Sequence, residues 1–409
     1  MPRSPSSPAF WRSPLRGPWF TSVLGVVLLV GIIVLFVTGL LSYAAYNPDL
    51  SPVNDQTPDK GLLGFYLFAW PTDPSWLYRL TQGTHVTLGI TLIPVLLAKL
   101  WSVVPKLYAL PPARSLAHAL ERLSLLLLVG GGLFEFTTGV LNVQLDYVFP
   151  GSFYPLHFYG AWVFFAAFLA HAALKTPAAL RNLRRELPAK ESELVAPDPA
   201  EPTVSRRGAL GVVGGGSLLL FGTTAGRGFD GPLRETALLA PHGGPEPGSG
   251  PGAFQINKTA AAVGIDDRET SEDAWRLVVG GNGRTVRLDR AALLRLPLHS
   301  AALPIACVEG WSTSDQWWRG VRLRDLAALV GYDADTAPDV LVESLQRHGA
   351  FRRSALRDNQ VRDPRSLLAL FANGADLTPD HGYPARVIVP AAPGVLNTKW
   401  VARLTFGDL

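Results

Sequence analysis

The residues best suited to chemistry in this chain are four histidines, His85, His118, His157 and His171, in or beside long apolar stretches of the first half, and Cys307, the only thiol among 409 residues. An ionisable side chain in hydrocarbon is costly and is read as functional by default; the plainer alternative is a histidine that merely hydrogen-bonds a neighbouring helix. Spacing favours function. His157 and His171 are 14 residues apart, about 21 Å of helical rise and roughly 40° away from sharing one face, so they point the same way at two depths. His85 pairs in depth with His157, and His118 with His171. Two neutral imidazoles facing each other across a bundle core are the axial ligands that a low-spin haem iron needs for electron transfer. Cys307, within IACVEGWSTSDQWWRGVRL, has no second cysteine and so no intramolecular disulfide; on its own it reads first as a small buried hydrophobe.

Helices crossing a bilayer must hold these histidines. The composition, 48% hydrophobic against 17% charged, places part of the chain in lipid. No charge lies between Arg16 and Asp49, and SVLGVVLLVGIIVLFVTGLLSYAAY is long enough to cross about 30 Å of hydrocarbon. Further runs lie between Arg79 and Lys99, between Arg122 and Asp146 with Glu135 inside, and between Asp146 and Lys175. Flanking charges set the orientation. Arg3, Arg12 and Arg16 precede the first span, and Asp49, Asp55, Asp59 and Asp73 against Lys60 come after it. Lys99, Lys106 and Arg114 come after the second, no base lies from Asp146 to Leu156, and Lys175, Arg181, Arg184, Arg185, Lys190, Arg206 and Arg207 come after the fourth. The N-terminus is therefore expected in the cytoplasm. Glu135 is expected to pair with Arg79, to stay protonated and hydrogen-bonded, or to accept protons beside a quinone site. A fifth, glycine-rich run, SRRGALGVVGGGSLLLFGTTAG, opens with Ser205, Arg206, Arg207 and Leu210. It reads as a last span with positive-inside flanks or as a twin-arginine export signal, and both readings place the remaining C-terminal part of the chain outside.

The expected division is 1–18 cytoplasmic, 19–178 a four-helix bundle, 179–205 a cytoplasmic linker, 206–227 the fifth segment, 228–252 a Gly/Pro-rich tether and 253–409 a soluble domain. In the last, short apolar runs such as RLVVGG, VLVES and ARVIVP are interspersed with helical stretches such as RAALLRLP and LRDLAALVG, which predicts a mixed α+β fold. No internal period stands out. The net charge of +4 resides mostly in cytoplasmic loops, with no nucleic-acid patch.

By helix count and histidine spacing, residues 18–178 resemble the cytochrome b type of membrane electron carrier, in particular the small four-helix cytochromes b fused to or partnered with exported oxidoreductases. The resemblance implies one or two b haems, held by His85 with His157 and by His118 with His171, and quinone or quinol as partner. Where the respiratory-complex pattern has a second histidine 14 positions after the first, this chain has Lys99, so an inner haem depends on His118.

From about Asn257 onward the chain resembles the sulfite-oxidase-like molybdopterin oxidoreductases. The matching residues are ACVEGWS with Cys307, then WWRGVRLRDLAALVG with Trp318, Gly320, Val321, Leu323 and Leu326. The third match is LLALFANGADLTPDHGYPARVIVPAAPGVLNTKW, with Asn373, Gly374, His381, Gly382, Pro384, Arg386, Pro390, Gly394, Lys399 and Trp400. The family implies that the Cys307 thiolate ligates molybdenum beside a pterin dithiolene, a soft ligand suited to a metal that cycles by two electrons. It also implies that His381, Arg386 and Lys399 hold the pterin phosphate, that amides of Asn397 and Thr398 add donors, and that Asn257 lies close to the cofactor. CVEGWSTSDQWW lacks the arginine-bearing segment that holds sulfite in sulfite oxidases, and looks more like the branch containing the catalytic subunit of the exported protein-methionine-sulfoxide reductase. No immunoglobulin-like dimerisation domain is expected after Trp400. Trp311, Trp317 and Trp318 are expected to line an aromatic cleft or to pack in the core.

The expectation is a multi-pass cell-membrane oxidoreductase: a membrane α-helical bundle of four helices plus a fifth twin-arginine-like anchor helix, then an extracytoplasmic α+β sulfite-oxidase-like molybdopterin-binding domain. Quinol electrons would pass through haem b to molybdopterin-bound molybdenum and reduce a small-molecule or protein-bound S-oxide or N-oxide. A dehydrogenase of sulfite or another small reduced substrate, feeding quinone, and a non-enzymatic haem protein with a degenerate pterin domain are the alternatives. Membrane lipid and the twin-arginine export machinery are further expected partners; nucleic acid is not.

Overall fold

The computed structural model describes residues 4–57, 68–108, 115–144, 152–184, 196, 198–229, 231–239 and 249–409. Part of the expected linker, residues 230 and 240–248 of the expected tether, and the orientation-setting charges Arg3, Asp59, Lys60, Arg114, Asp146, Arg185 and Lys190 lie outside the described residues.

Among the described residues five helical stretches are long and apolar enough to cross a membrane: α1 (Pro18–Ala45), α2 (Leu77–Leu107), α3 (Leu116–Gln144), α4 (Phe153–Arg184) and α5 (Arg206–Gly222), the last continuing as a span to Gly228. Proline at the first position of α1 needs no amide partner there, which lets Gly17–Pro18 start the helix. On α1, Phe20, Leu24, Leu28 and Ile32 form a buried stripe while Val27, Val30, Ile33 and Val37 are equally apolar but exposed. A helix apolar all round suits lipid on its outer face. α1 packs on α2 and α4, α3 on α4, and α5 on α2; Gly216 lets α5 approach Pro94 of α2, where an added Cβ would sit 3.5 Å from the ring.

The C-terminal part is α+β, as the run lengths predict. One sheet is ordered β2 (Arg284–Leu288), β1 (Leu277–Gly281), β10 (Val401–Phe406), β5 (Val340–Ser344) and β6 (Arg353–Leu356), with β1 and β10 parallel and the other neighbours antiparallel. The other runs β3 (His299–Leu303), β4 (Gln316–Arg322), β7 (Leu367–Ala372) and β8 (Ala375–Asp376), with β9 (Arg386–Ile388) also on β7. The larger core joins Leu277, Val279, Val342 and Leu404 of the first sheet to the helix Leu323–Leu329 and to Leu368 and Val387. A second core, with Trp318, Leu303 and Phe254, encloses Cys307.

The two halves are fastened to each other by the segment after α1. Asn47, at φ 53°, donates through Nδ2 to Ala355 O (3.1 Å) and Gln360 Oε1 (2.8 Å). Asp55 Oδ2 accepts from the backbone amides of Arg352 (2.9 Å) and Arg353 (3.2 Å), and Asp49 pairs with Arg357 at 2.6 Å. Trp70 Nε1 reaches Ala391 O at 2.8 Å, and Asp73 pairs with Arg365 at 2.7 Å. Acidic residues of this loop are thus its means of attachment. A largely buried carboxylate that accepts two backbone amides contributes about 1.5–3 kcal/mol per bond. Asp55→Ala is therefore expected to speed native-state hydrogen exchange of the Arg352 and Arg353 amides roughly tenfold or more, with exchange in β1 and β10 unchanged; equal protection in the variant would show that the contact does not hold the halves together.

Candidate functional site

Of the four bundle histidines, His85 and His157 meet. They stand near the N-terminal ends of α2 and α4 with ring centroids 6.3 Å apart and planes at 83°. Each ring is held through Nδ1. His85 Nδ1 is 3.1 Å from Thr38 Oγ1 and 3.0 Å from Leu35 O, and His157 Nδ1 is 3.1 Å from both Thr138 Oγ1 and Glu135 Oε2. Nε2 of each is left for a ligand. Two metal–imidazole bonds of about 2.0–2.1 Å on opposite sides of one ion would bring the ring centres to roughly 6 Å. A cavity of about 200 Å³ lies here, lined by both histidines, Glu135 and apolar residues of α1 to α4. Gly39 and Gly139 flank it: a Cβ on Gly39 would sit 3.2 Å from the His85 ring, and one on Gly139 3.8 Å from that of His157.

The supporting residues form a repeat not visible as a period in the sequence. FVTGLL (36–41) on α1 and FTTGVL (136–141) on α3 each supply a Thr–Gly pair to the histidine of the next helix. Where the first copy offers the Leu35 carbonyl, the second offers the Glu135 side chain, so Glu135 pairs with His157 and not with Arg79. Arg79 instead donates to Gly228 O and lies over the Phe229 ring. His118, near the start of α3, donates its amide to Ser115 Oγ (3.2 Å); neither it nor His171 lines the cavity. Lys99 Nζ donates to Thr21 O at 2.7 Å.

Cys307 opens a tight turn: its amide donates to Trp311 O (2.9 Å) and its carbonyl accepts from Gly310 (3.0 Å). Gly310 has φ +83°, and a Cβ there would come within 2.7 Å of Val86 on α2, so at this point the turn can approach the bundle because it carries glycine. Cys307 is 3% exposed. Burial, and then the charge of Glu309, raise its thiol well above the ordinary range, so a bound metal must displace the proton. Among the described residues no group of three or more His, Cys, Asp or Glu side chains gathers.

The loop after Pro393 is tied to this turn, since Gly394 N donates to Ala306 O at 2.7 Å. It carries Asn397, Thr398 and Lys399. Lys399 Nζ donates to Lys258 O and Asp380 O, both at 2.8 Å, under Gly382, whose φ of +107° and lack of Cβ leave room for it. Arg386 Nη1 reaches His381 O at 3.4 Å, and His381 is clamped between Thr378 Oγ1 (2.7 Å) and Phe254 O (3.1 Å). Burial lowers Arg386 to about 9, and burial with Arg386 and Lys258 nearby pushes Lys399 well below its usual value. Two cations that depress a third make a site short of an anion.

The model of the oxidoreductase molybdopterin binding domain family matches residues 263–408. Similar proteins include mitochondrial sulfite oxidase of Rattus norvegicus, 30% identical over 158 residues, covering 32% of this chain and 29% of the relative. Nitrate reductase [NAD(P)H] of Hordeum vulgare is 38% identical over 96 residues, covering 21% and 10%. The uncharacterized oxidoreductase YuiH of Bacillus subtilis is 31% identical over 110 residues, covering 27% and 53%. The chain thus spans a tenth to about half of these relatives' length. The sulfane dehydrogenase structure from Paracoccus pantotrophus aligns with TM-score 0.31 at 25% identity, covering 34% of this chain and 39% of that one. Residues 263–408 are a molybdopterin-binding oxidoreductase domain of the sulfite oxidase type.

The molybdopterin domain's own residues fit such a group. Besides the soft sulfur of Cys307, the domain holds Arg386 Nε and Asn397 Nδ2, buried polar atoms without a hydrogen-bond partner. Arg386, Lys399 and Asn397 would hold the anionic end. Thr398 is buried and turned to Ser354 Oγ (2.6 Å), and Asn397 Oδ1 accepts from Val389 N (2.9 Å). Asn257 is exposed, while its neighbour Lys258, overlooked in the sequence, joins the cations, with Nζ 3.0 Å from Ala350 O and Cys307 close enough to act on its charge. The expected aromatic cleft separates: Trp311 and Trp318 are core, with indole N–H groups on Glu309 (2.8 Å) and Leu303 O (3.0 Å), and Trp317 is 55% exposed.

His381 is not a cation here, because burial, helped by Arg386, lowers it from 6.5 to about 4. Its contribution to stability is present above about pH 6.5 and is lost as pH falls through about 4. The melting temperature of cofactor-free protein is expected to fall between those values more steeply than that of His381→Asn; identical slopes would mean that His381 titrates normally.

Proposed function

We propose that this chain is a membrane-anchored, molybdenum-dependent oxidoreductase that exchanges electrons between the quinone pool and a small oxidised substrate outside the membrane, by way of b haem. The observation that carries this reading is the join between the two sites. Gln82 Nε2 of α2 donates to Val308 O, the residue after Cys307, and Val308 also lines the His85–His157 cavity. The residue after the thiol and the cavity that holds the two imidazoles are therefore joined by one hydrogen bond and about one turn of α2. The rings fit a haem by their separation, by their engaged Nδ1 atoms and by the glycines beside them. Bound there, haem supplies one-electron transfer, and molybdopterin at Cys307 supplies two-electron oxygen-atom transfer.

The protein's part is positional. Thr38 and Leu35 fix one imidazole and Thr138 and Glu135 the other; the Cys307 turn and the Gly394–Lys399 loop hold the thiol and the anion-binding groups as one unit. In the favoured direction a quinol and an S-oxide or N-oxide become quinone, the reduced compound and water, which balances two electrons, two protons and one oxygen atom. The branch of the exported protein-methionine-sulfoxide reductase supports that direction through the sequence after Cys307. The similarity to sulfite oxidases favours the reverse as the second reading, in which a small reduced sulfur compound feeds quinone.

The test is optical. Haems in membranes are reduced, excess reductant is removed anaerobically, and S-oxides and N-oxides are added to wild type, Cys307→Ser and His157→Ala. Reoxidation in wild type alone is expected, with the reduced haem signal of the outer site missing from His157→Ala. If oxides leave the haems reduced and sulfite reduces them, electrons flow the other way.

A further inference from the structure

Arg227 lies at the end of the fifth candidate span, outside residues 263–408. It is 1% exposed, and none of Nε, Nη1 and Nη2 has a hydrogen-bond partner. Its backbone is fixed: the carbonyl accepts from Ser312 N (3.3 Å) and Arg234 Nη1 (3.1 Å). Arg234 is itself held by Ser312 O (3.0 Å) and Gln255, so it does not compete for what Arg227 binds. The head group reaches the Cys307 turn, since Nη2 lies 3.1 Å from where a Cβ on Gly310 would be. The charges that act on it are those of Glu309 and Cys307, and the Glu309 carboxylate is already engaged with Trp311 Nε1 at 2.8 Å. Across the turn, Tyr46 and Tyr78 pack with Ala306, and their buried hydroxyls have no well-formed hydrogen bond. A guanidinium stripped of water and given no acceptor is severely destabilising unless an acceptor arrives, and its planar fork matches two oxygens of one anion.

We propose that Arg227, supplied by the membrane anchor, is the anion-binding residue of the site in front of Cys307, and that the substrate is a small molecule presenting an anionic oxygen pair, either an oxoanion or a carboxylate. The inference rests on the oxidoreductase reading for the word substrate and on Arg227 itself for the anion. It makes the membrane half a part of the binding site. Arg227 and Cys307 are 1% and 3% exposed, which suits a small molecule.

The experiment uses the full chain in detergent, with sulfate standing for an oxoanion and acetate for a carboxylate. Binding is measured by calorimetry, molybdenum content by elemental analysis, and proximity by the shift that the bound anion causes in the electron paramagnetic resonance of the metal. Wild type is expected to bind one of the two anions, Arg227→Gln at least tenfold more weakly and Arg227→Lys in between, with equal metal content in all three. Whichever anion binds identifies the source of the oxygens. Equal affinity in Arg227→Gln, no binding of either anion to wild type, or loss of molybdenum or a shifted haem spectrum with anion affinity unchanged would overturn the proposal. Anion binding that depends on Arg227 in protein that takes up no molybdenum would instead leave the anion site standing and sink the oxidoreductase reading.

Discussion

The carboxylate of Asp55 against the amides of Arg352 and Arg353, with Asn47 and Asn54 on the neighbouring Ala355, is the contact on which the rest of the architecture depends. It is polar, largely buried, and directed at backbone atoms. That combination specifies one orientation, because a backbone amide offers its hydrogen in a single direction. Apolar packing between the halves, around Tyr46, Trp70, Ala306 and Phe351, is then guided into register by the hydrogen bonds. Without that register, Val308 would have no reason to face the cavity of the bundle.

Within the bundle, a similar economy appears twice. The same short pattern around Thr38 and Thr138 steadies a ring on the next helix, and threonine suits the task because its hydroxyl also returns a hydrogen bond to its own helix, to Val34 O and Phe134 O at 2.8 Å. The copies diverge at one position. A backbone carbonyl stays as it is whatever the ring does, whereas the Glu135 side chain leaves Oε1 without a partner and facing the same region. The two rings are therefore not electrically equivalent even though they are placed alike.

Much of this was legible in the sequence and some was not, for reasons that differ by residue. Gaps between charges locate helices well because hydrocarbon tolerates few ionised groups, and the run from Arg16 to Asp49 contains α1 to within a few residues. Alternating short runs forecast the strands around Leu277 and Val340. The meeting of His85 with His157 followed from depth. Arg227 and Lys258 were invisible because an arginine at the end of a span reads as an ordinary flank, and a lysine beside Asn257 reads as surface; only the approach of Gly310 and Ala350 buries them. His381 looked like a cation by type and is neutral by environment. Burial is a property of distant segments, and local pattern carries no trace of it.

The Asp55–Arg352 and Asn47–Gln360 contacts join residues about 300 positions apart in the chain. Loop closure over such a distance is slow and gains nothing until both ends are already shaped. The seam therefore forms late, between a bundle and a domain that have each folded on their own local contacts. That order would have a chemical benefit: the face of the domain that carries Cys307 would stay open through the domain's own folding and close when the bundle covers it.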